Sequence, residues 1–307
     1  MNEEPGLAPG VPAEDTAGVE VPAVAPTPAF RSEPSRLVAS PDGVPIALFE
    51  AGVASRGSDR PSLILVHGTT ADHTTFRAVA PVLGEHRHLV AIDRRGRGAS
   101  GDTIGMGYSI DREYDDLAAV AHTVATLDGR PVDVLGHSYG GRIALGAARH
   151  SEWIRRIVVY EGAPSTPRLP YRPVGIERRI QAHLDHGDGE AALETFFREI
   201  VGMDDEGIAS YRANPVWPIR AAAAPTILRE LEAEASSAAG PEALGQVTIP
   251  VLLVLGSASR EPFAAATEAL RGRLANVQVA TIEGAAHAAH HTDVPEFAAA
   301  VEAFLDA

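Results

Sequence analysis

The 307-residue sequence predicts an α/β fold, with a mostly parallel central sheet, helices on both of its faces and a helical insertion. Two observations carry this prediction. Short, continuously apolar runs alternate with segments of helical periodicity, which is typical of strands buried on both faces. The interval from 164 to 247 keeps helical periodicity but contains no convincing strand. It therefore indicates an insertion between two strands of the sheet.

The first segment, residues 1–34, is rich in Pro, Ala, Gly and Glu and has few large apolar residues. Such a composition buries too little surface to offset the entropy of ordering, so we predict a disordered tail. Glu3 and Glu4 stand where a secretory signal would be positively charged. We therefore expect a cytoplasmic location, although export by another route stays open.

The folded part begins after this tail. A pair of strands is predicted around the turn Pro41–Gly43, at 37–39 and 46–49. Longer apolar runs predict further strands at Leu63–Val66, Leu89–Ile92, Val132–Leu135, Ile157–Tyr160, Val251–Leu255 and Val277–Ile282. Helical periodicity separates most of them, at Thr75–Leu83, Asp111–Leu127, Arg142–His150, Pro262–Leu274 and Pro295–Leu305.

The strand pattern assigns residues 35–163 and 248–307 to one α/β core and residues 164–247 to a helical cap over the strand ends. Within this cap segment Ile176, Ile180 and Leu184 share one helical face. Its aromatic residues could line a pocket for an acyl group or form the core of the cap. They are Tyr171, Phe196, Phe197, Tyr211 and Trp217.

Composition excludes several classes of function. The sequence contains no cysteine, which excludes disulfides and thiolate chemistry. All 26 basic residues are arginine, so the lysine of a P-loop or of a pyridoxal phosphate enzyme is absent. A net charge of −15 argues against nucleic acid as a partner. No apolar run approaches the roughly 20 residues that cross a bilayer, so no membrane partner is expected.

The most informative motif is Gly136-His137-Ser138-Tyr139-Gly140, a G-x-S-x-G sequence between a predicted strand and a predicted helix. This context is that of a nucleophile elbow, in which a sharp turn presents a serine hydroxyl to a pocket.

Polar motifs follow three other predicted strands. They are His67-Gly68-Thr69-Thr70, Asp93-Arg94-Arg95-Gly96-Arg97-Gly98 and Gly284-Ala285-Ala286-His287. Together with the elbow, and in this order, they resemble the α/β-hydrolase superfamily, in its capped esterase, lipase and lactonase-like branch. The resemblance runs from about Leu37 to the C-terminus, and it implies the α/β-hydrolase fold.

The resemblance also implies roles for individual residues. Ser138 matches the nucleophile and His287 the histidine that activates it. The backbone N–H groups of Thr69 and Tyr139 match the oxyanion hole. His67, Asp93 and Arg95 match residues that brace loops.

The acid of the triad departs from the pattern, because Ser259 stands where most relatives have Asp. We predict that Glu161, directly after a strand, replaces it. Two alternatives stay open. Glu261 lies close to the vacant position but could instead begin a helix, or no acid is used and Ser259 or water orients His287.

The expected function is hydrolysis of a carboxylic ester or lactone of a small, largely apolar substrate, without a cofactor. Although His287, His290 and His291 lie close together, no acidic ligand set accompanies them, and no metal is expected. The same residues could hydrolyse a C–C bond or carry out perhydrolysis, and a non-catalytic ligand-binding protein is a further alternative. The sequence leaves the oligomeric state open.

Overall fold

The computed structural model describes residues 29–53, 59–103 and 107–307. Most of the predicted disordered tail, residues 1–34, therefore lies outside the described residues. The described part forms an eight-stranded sheet in the order β1-β2-β4-β3-β5-β6-β7-β8. The strands are β1 (Arg36–Ala39), β2 (Pro45–Gly52), β3 (Leu63–Val66), β4 (His88–Ile92), β5 (Val132–His137), β6 (Ile154–Tyr160), β7 (Val251–Gly256) and β8 (Val277–Ile282).

The directions of the strands determine at which edge of the sheet a ligand site is expected. β2 is antiparallel to β1 and β4, whereas the pairings from β4 through β3, β5, β6 and β7 to β8 are all parallel. The carboxyl ends of these six strands therefore share one edge, where ligands bind in open α/β sheets. The predicted mostly parallel sheet is confirmed.

Helices cover both faces of the sheet. In chain order they are α1 (Ala80–Leu83), α2 (Ile110–Asp128), α3 (Tyr139–Ala148), α4 (Ile176–Asp185), α5 (Gly189–Phe196), α6 (Asp205–Arg212), α7 (Trp217–Ala222), α8 (Thr226–Ala233), α9 (Pro241–Leu244), α10 (Glu261–Arg271), α11 (Ala289–Thr292) and α12 (Val294–Leu305).

Side chains that alternate along the strands fill two apolar layers. In β3, Ile64 and Val66 belong to the layer that includes residues of α2, α3 and α10, whereas Leu63 and Leu65 belong to the layer that includes residues of α1, α11 and α12. This explains why the strands are continuously apolar, because each strand has a core on both sides.

The helix predicted at 75–83 is shorter than expected. The chain forms a 3-10 turn at His73–Phe76, whose Asp72 side chain accepts a hydrogen bond from the Thr74 N–H at 2.9 Å, and α1 begins only at Ala80. Pro81 lies in the first turn of α1. Because proline lacks an N–H group, it suits a helix start and interrupts a longer helix.

Helices α4 to α9 lie between β6 and β7, and no element of the sheet interrupts them in this described stretch. Ile176, Ile180 and Leu193 are buried in the same apolar layer as α2 and α3. The division into a core and a cap segment at residues 164–247 stays a prediction. No helix within the described ranges is long and apolar enough to span a bilayer.

A buried arginine joins the opposite edge of the sheet to α12. The Arg87 side chain is fully buried, with Nη1 3.7 Å from Asp133 Oδ2 and Nε 3.1 Å from Glu302 Oε1. Its Nη2 also contacts Asp306. Asp133 lies in β5 and is itself buried, so this cluster neutralises charge inside the protein.

We expect Arg87→Met to lower the free energy of unfolding by about 3 kcal/mol, because it leaves the buried Asp133 carboxylate with only partial compensation. Urea denaturation measures the effect. The matched control is Arg271→Met, which removes an exposed arginine paired with Glu268 on α10 and should change nothing measurable. Equal free energies of unfolding for the two variants would contradict the stabilising role of Arg87.

Candidate active site

Ser138 lies at the turn between β5 and α3, with a backbone φ of 55° and ψ of −124°. A positive φ is uncommon for a residue with a side chain, so the turn is strained. Glycines make it possible: a Cβ on Gly140 would lie 2.2 Å from the Val66 carbonyl oxygen, and one on Gly136 2.4 Å from the Gly140 carbonyl oxygen. Within the described residues, the Ser138 hydroxyl caps no N–H group of α3. Ser138 instead lines a cavity.

Glu161 directly follows β6 and also has a positive φ, of 47°. Its buried carboxylate accepts a hydrogen bond at Oε2 from His287 Nδ1 at 2.7 Å. Its Oε1 accepts from the Gly256 N–H at 2.9 Å and from the Ser259 hydroxyl. Since a carboxylate oxygen accepts hydrogen bonds, this contact directs the Nδ1–H group of His287 toward Glu161 and leaves Nε2 on the other side of the ring.

The two candidate acids therefore lie in different surroundings. Glu161 contacts His287, whereas Glu261 is the first residue of α10, with an exposed side chain. A carboxylate at that position suits the positive end of the helix dipole. Ser259 stands at the position expected for Asp, but its hydroxyl donates to Glu161. No sequence pattern indicates this contact, since only the folded sheet brings the ends of β6 and β7 together.

The loop after β3 packs against the serine. A Cβ on Gly68 would lie 2.9 Å from the Ser138 Cβ, which shows how closely the two backbones approach. Thr69 lines the cavity beside Ser138 and His287. Tyr139, the first residue of α3, borders a small adjoining recess together with Thr69 and Ser138. The structure thus brings the two predicted oxyanion residues next to the serine.

His67 is fully buried within this loop. Its Nδ1 donates to the Gly68 carbonyl oxygen at 2.9 Å, and its Nε2 accepts from the Arg94 N–H at 3.0 Å. Burial, followed by the positive charge of Arg94, lowers the pKa of His67 well below its usual value. The ring is therefore neutral, and both nitrogens hold the backbone of the loop.

Asp93 and Arg95 brace the loop after β4. Asp93 accepts from the backbone N–H groups of His73 and Ala99, each at 2.8 Å. Arg95 forms two hydrogen bonds of 2.6 Å with Asp116 of α2. These contacts agree with the structural role predicted for both residues.

Arg94 joins four parts of the site. Its guanidinium donates to Glu113 of α2 at 2.6 and 2.8 Å, and to Glu230 of α8 at 2.7 Å. It also donates to the Gly68 carbonyl oxygen at 3.2 Å and lies 4.7 Å from the centre of the Tyr139 ring. Burial alone would lower the pKa of Arg94, but the two carboxylates raise it well above the usual value. Beyond the motif that contains Arg94, no sequence pattern indicates this network.

Three further histidines surround His287. His137 Nε2 donates to the His287 carbonyl oxygen at 2.9 Å, and its ring lies 4.4 Å from that of His290. Burial, followed by the charges of neighbouring histidines, lowers the pKa of His137 and His290 well below the usual value. The rings of His290 and His291 are 4.4 Å apart. In the described part of the chain, no group of three or more His, Asp or Glu side chains could hold a metal ion.

The cavity at this edge has a volume of about 710 Å³. The cap segment contributes much of its apolar wall, through Phe196, Phe197, Val201, Met203 and Tyr211. Of the other predicted cap aromatics, Tyr171 borders the small recess and Trp217 is buried against Phe197 and Tyr211. The cap aromatics therefore divide between pocket and core.

Comparison with known proteins shows the family. A model of the alpha/beta hydrolase family matches residues 63–301. A probable oxidoreductase, EphD, from Mycobacterium tuberculosis is 38% identical over 107 residues, which cover 34% of this chain and 17% of that protein. The chain thus spans under a fifth of that relative. The 2-(acetamidomethylene)succinate hydrolase of Mesorhizobium japonicum is 26% identical over 273 residues, 86% of this chain and 94% of the relative.

Among solved structures, an alpha/beta hydrolase from Sphaerobacter thermophilus superposes with a TM-score of 0.69 and 29% identity, over 85% of this chain and 100% of that chain. The sheet order, the strained serine turn and the extent of the family match agree with one another. The chain belongs to the alpha/beta hydrolase family.

Proposed function

We propose that the protein is a serine hydrolase that cleaves a carboxylic ester or lactone through an acyl-enzyme. The observation that carries the proposal is the contact chain at one edge of the sheet: Glu161 bonds to His287 Nδ1, and His287 lines the same cavity as Ser138. An acid, an imidazole and a strained serine in this order supply the parts of nucleophilic acyl transfer.

In the first half of the reaction, Ser138 Oγ attacks the substrate carbonyl carbon while His287 Nε2 accepts the hydroxyl proton. The imidazole thereby becomes positively charged, and the buried Glu161 carboxylate stabilises that charge. The carbonyl oxygen becomes an oxyanion, which the backbone N–H groups of Thr69 and Tyr139 stabilise.

The oxyanion then collapses, the bond to the leaving oxygen breaks, and His287 returns its proton to the departing alcohol. Water enters, loses a proton to His287 and attacks the acyl-enzyme through the same oxyanion. Ser138 leaves with the proton, and the carboxylic acid is released. Atoms and charges balance with the chain's own residues and water, so the proposal needs neither cofactor nor metal.

A second candidate keeps these residues but changes the bond, to C–C hydrolysis or perhydrolysis. The names of two relatives indicate that hydrolysis in this family is not restricted to esters, so this candidate is kept. One is named 2-(acetamidomethylene)succinate hydrolase, and a second, 27% identical over 258 residues, is named N-formylmaleamate deformylase. Neither name is that of an enzyme that acts on a simple ester. The fold alone does not decide which kind of bond is cleaved. A panel of aryl esters assayed beside a ring-fission diketone separates the two candidates.

A non-catalytic binding protein was the remaining alternative, and its support was the serine at position 259. The bond between Glu161 and His287 favours the hydrolase instead, because it gives the histidine a carboxylate partner. Labelling of Ser138 by a fluorophosphonate probe would exclude it, whereas an unreactive Ser138 in the folded protein would count against the proposed hydrolase.

On a chromogenic aryl ester, we expect Ser138→Ala and His287→Ala each to reduce kcat about a thousandfold or more, because both act on the same proton transfer. The double variant should be about as slow as either single variant, since residues that act as a unit are not additive. Additive losses in steady-state kinetics would contradict a shared step.

For the acid, we expect Glu161→Gln to reduce kcat about a thousandfold, because an amide removes the negative charge and allows the wrong tautomer of the histidine. Glu261→Gln is the matched control and should reduce kcat less than about twofold, since the side chain is exposed. If the two effects were exchanged, the acid would be Glu261.

Ser259 is proposed as a positioning residue, which acts through Glu161. We expect Ser259→Ala to reduce kcat about three- to tenfold with little change in KM, because one hydrogen bond to a buried carboxylate is lost. Ser259→Thr keeps the hydroxyl and should restore kcat. A KM effect alone, or no rescue by threonine, would argue against this role.

A further inference from the structure

The cavity wall contains arginines that have no carboxylate partner in the part of the chain that the structure describes. Arg77 and Arg220 both line the cavity, and neither forms an ion pair with another described residue. Arg77 donates one hydrogen bond, to the Thr74 carbonyl oxygen at 3.2 Å, and Arg220 donates one, to Thr75 Oγ1 at 3.1 Å. This contrasts with Arg94 and Arg95 nearby, whose guanidinium groups are neutralised by carboxylates.

Arg220 is held in place by aromatic rings. It lies in α7 of the cap segment, and its guanidinium carbon is 5.7 Å from the centre of the Phe197 ring and 5.4 Å from that of Tyr211. Both rings also line the cavity. A guanidinium supported by aromatic faces loses little entropy when it binds a ligand, and its remaining N–H groups are available as paired donors.

The charges around the cavity do not cancel. The other cation of the wall, Arg260, donates to the carbonyl oxygens of Glu199 and Ile200. Asp204 is the one acidic side chain among the described lining residues, and it caps α6 by accepting from the Gly207 N–H at 2.8 Å. A chain with a net charge of −15 thus has a cavity wall with excess positive charge.

Three histidines of the wall, His137, His290 and His291, add no positive charge to it. Burial, followed by the charges of Arg77 and Arg220, lowers the pKa of His291 to about 3. The charge of Arg220 also contributes, after burial, to the lowered pKa of His137 and His290. At neutral pH these rings are uncharged, so the arginines supply the positive charge of the cavity.

We propose that Arg220, assisted by Arg77, binds a carboxylate group of the substrate, so that the preferred substrate is an ester or lactone whose acyl part carries a second, ionised carboxyl. The apolar side chains of the wall contact the carbon chain between the two carboxyl carbons. This inference rests on the proposed hydrolase for its kinetic consequence, whereas the binding of the carboxylate does not depend on catalysis.

The kinetic test compares two substrates with acyl groups of five carbons, the mono(4-nitrophenyl) ester of glutaric acid and 4-nitrophenyl pentanoate. We expect the wild-type protein to have the higher kcat/KM for the glutarate ester. Arg220→Gln should reduce the ratio of the two kcat/KM values about 10- to 100-fold, chiefly through KM, because a charge-assisted hydrogen-bonded pair is lost. Arg178→Gln removes an exposed arginine from the same cap segment and is the matched control, with no change in the ratio.

An unchanged ratio in Arg220→Gln, or a wild-type preference for pentanoate, would overturn the proposal. Arg77→Gln serves as a second variant and should lower the ratio in the same direction. If Arg220→Gln does not fold, as judged by thermal unfolding, the result with Arg77→Gln decides the proposal.

The binding test uses Ser138→Ala, which cannot form an acyl-enzyme. We expect free glutarate to bind this variant in calorimetry and to bind at least tenfold more weakly when Arg220→Gln is added. Absence of glutarate binding would overturn the proposal, as would equal or tighter binding of inorganic phosphate. If Ser138→Ala binds glutarate but the wild-type protein hydrolyses neither ester, the anion site is supported and the proposed hydrolase is contradicted.

Discussion

The site depends on the buried charge of Arg94. A guanidinium in the interior requires its carboxylates, and Arg94 takes them from α2 and from α8 of the cap segment. The same group holds the Gly68 carbonyl oxygen and lies against the Tyr139 ring. Separating these elements would leave an unpaired charge inside the protein. One residue thereby fixes the loop after β3, the start of α3 and the cap segment relative to one another.

Backbone strain is the second constraint, and the sheet supports it. Ser138 and Glu161 both have positive φ and follow neighbouring strands. Their N–H groups nevertheless donate to the next strand, to the Tyr160 carbonyl oxygen at 2.8 Å and the Val254 carbonyl oxygen at 3.1 Å. The hydrogen bonds between neighbouring strands thus continue through the strained residues. Conformations that cost about 1–3 kcal/mol each persist because the surrounding strands determine them.

Local pattern predicted the sheet, most of the helices and the placing of Ser138, His287 and Glu161 at strand ends, because strand periodicity and motif position are properties of neighbouring residues. Local pattern could not predict the contacts between segments that are distant in sequence. The Ser259 hydroxyl on Glu161 needs the ends of β6 and β7 side by side, and Glu230 reaches Arg94 across 136 positions of sequence. The helix predicted at 75–83 was wrong in extent because Pro81 outweighed apolar periodicity. Arg220 carried no sequence signal, since an arginine without a carboxylate partner among the described residues is recognised only after its neighbours are known.

The bond between Ser259 and Glu161 has a consequence for how such proteins diverge. Position 259, where the family resemblance leads us to expect Asp, touches the carboxylate that accepts a hydrogen bond from His287. An ancestor with acids at both positions would hold two carboxylates beside one imidazole, and their repulsion would keep one of them protonated. Such an intermediate retains one ionised partner for the histidine at every step. On the proposed triad, two successive single substitutions would therefore suffice to move the acid from one strand to its neighbour, and neither step would pass through a form without an acid.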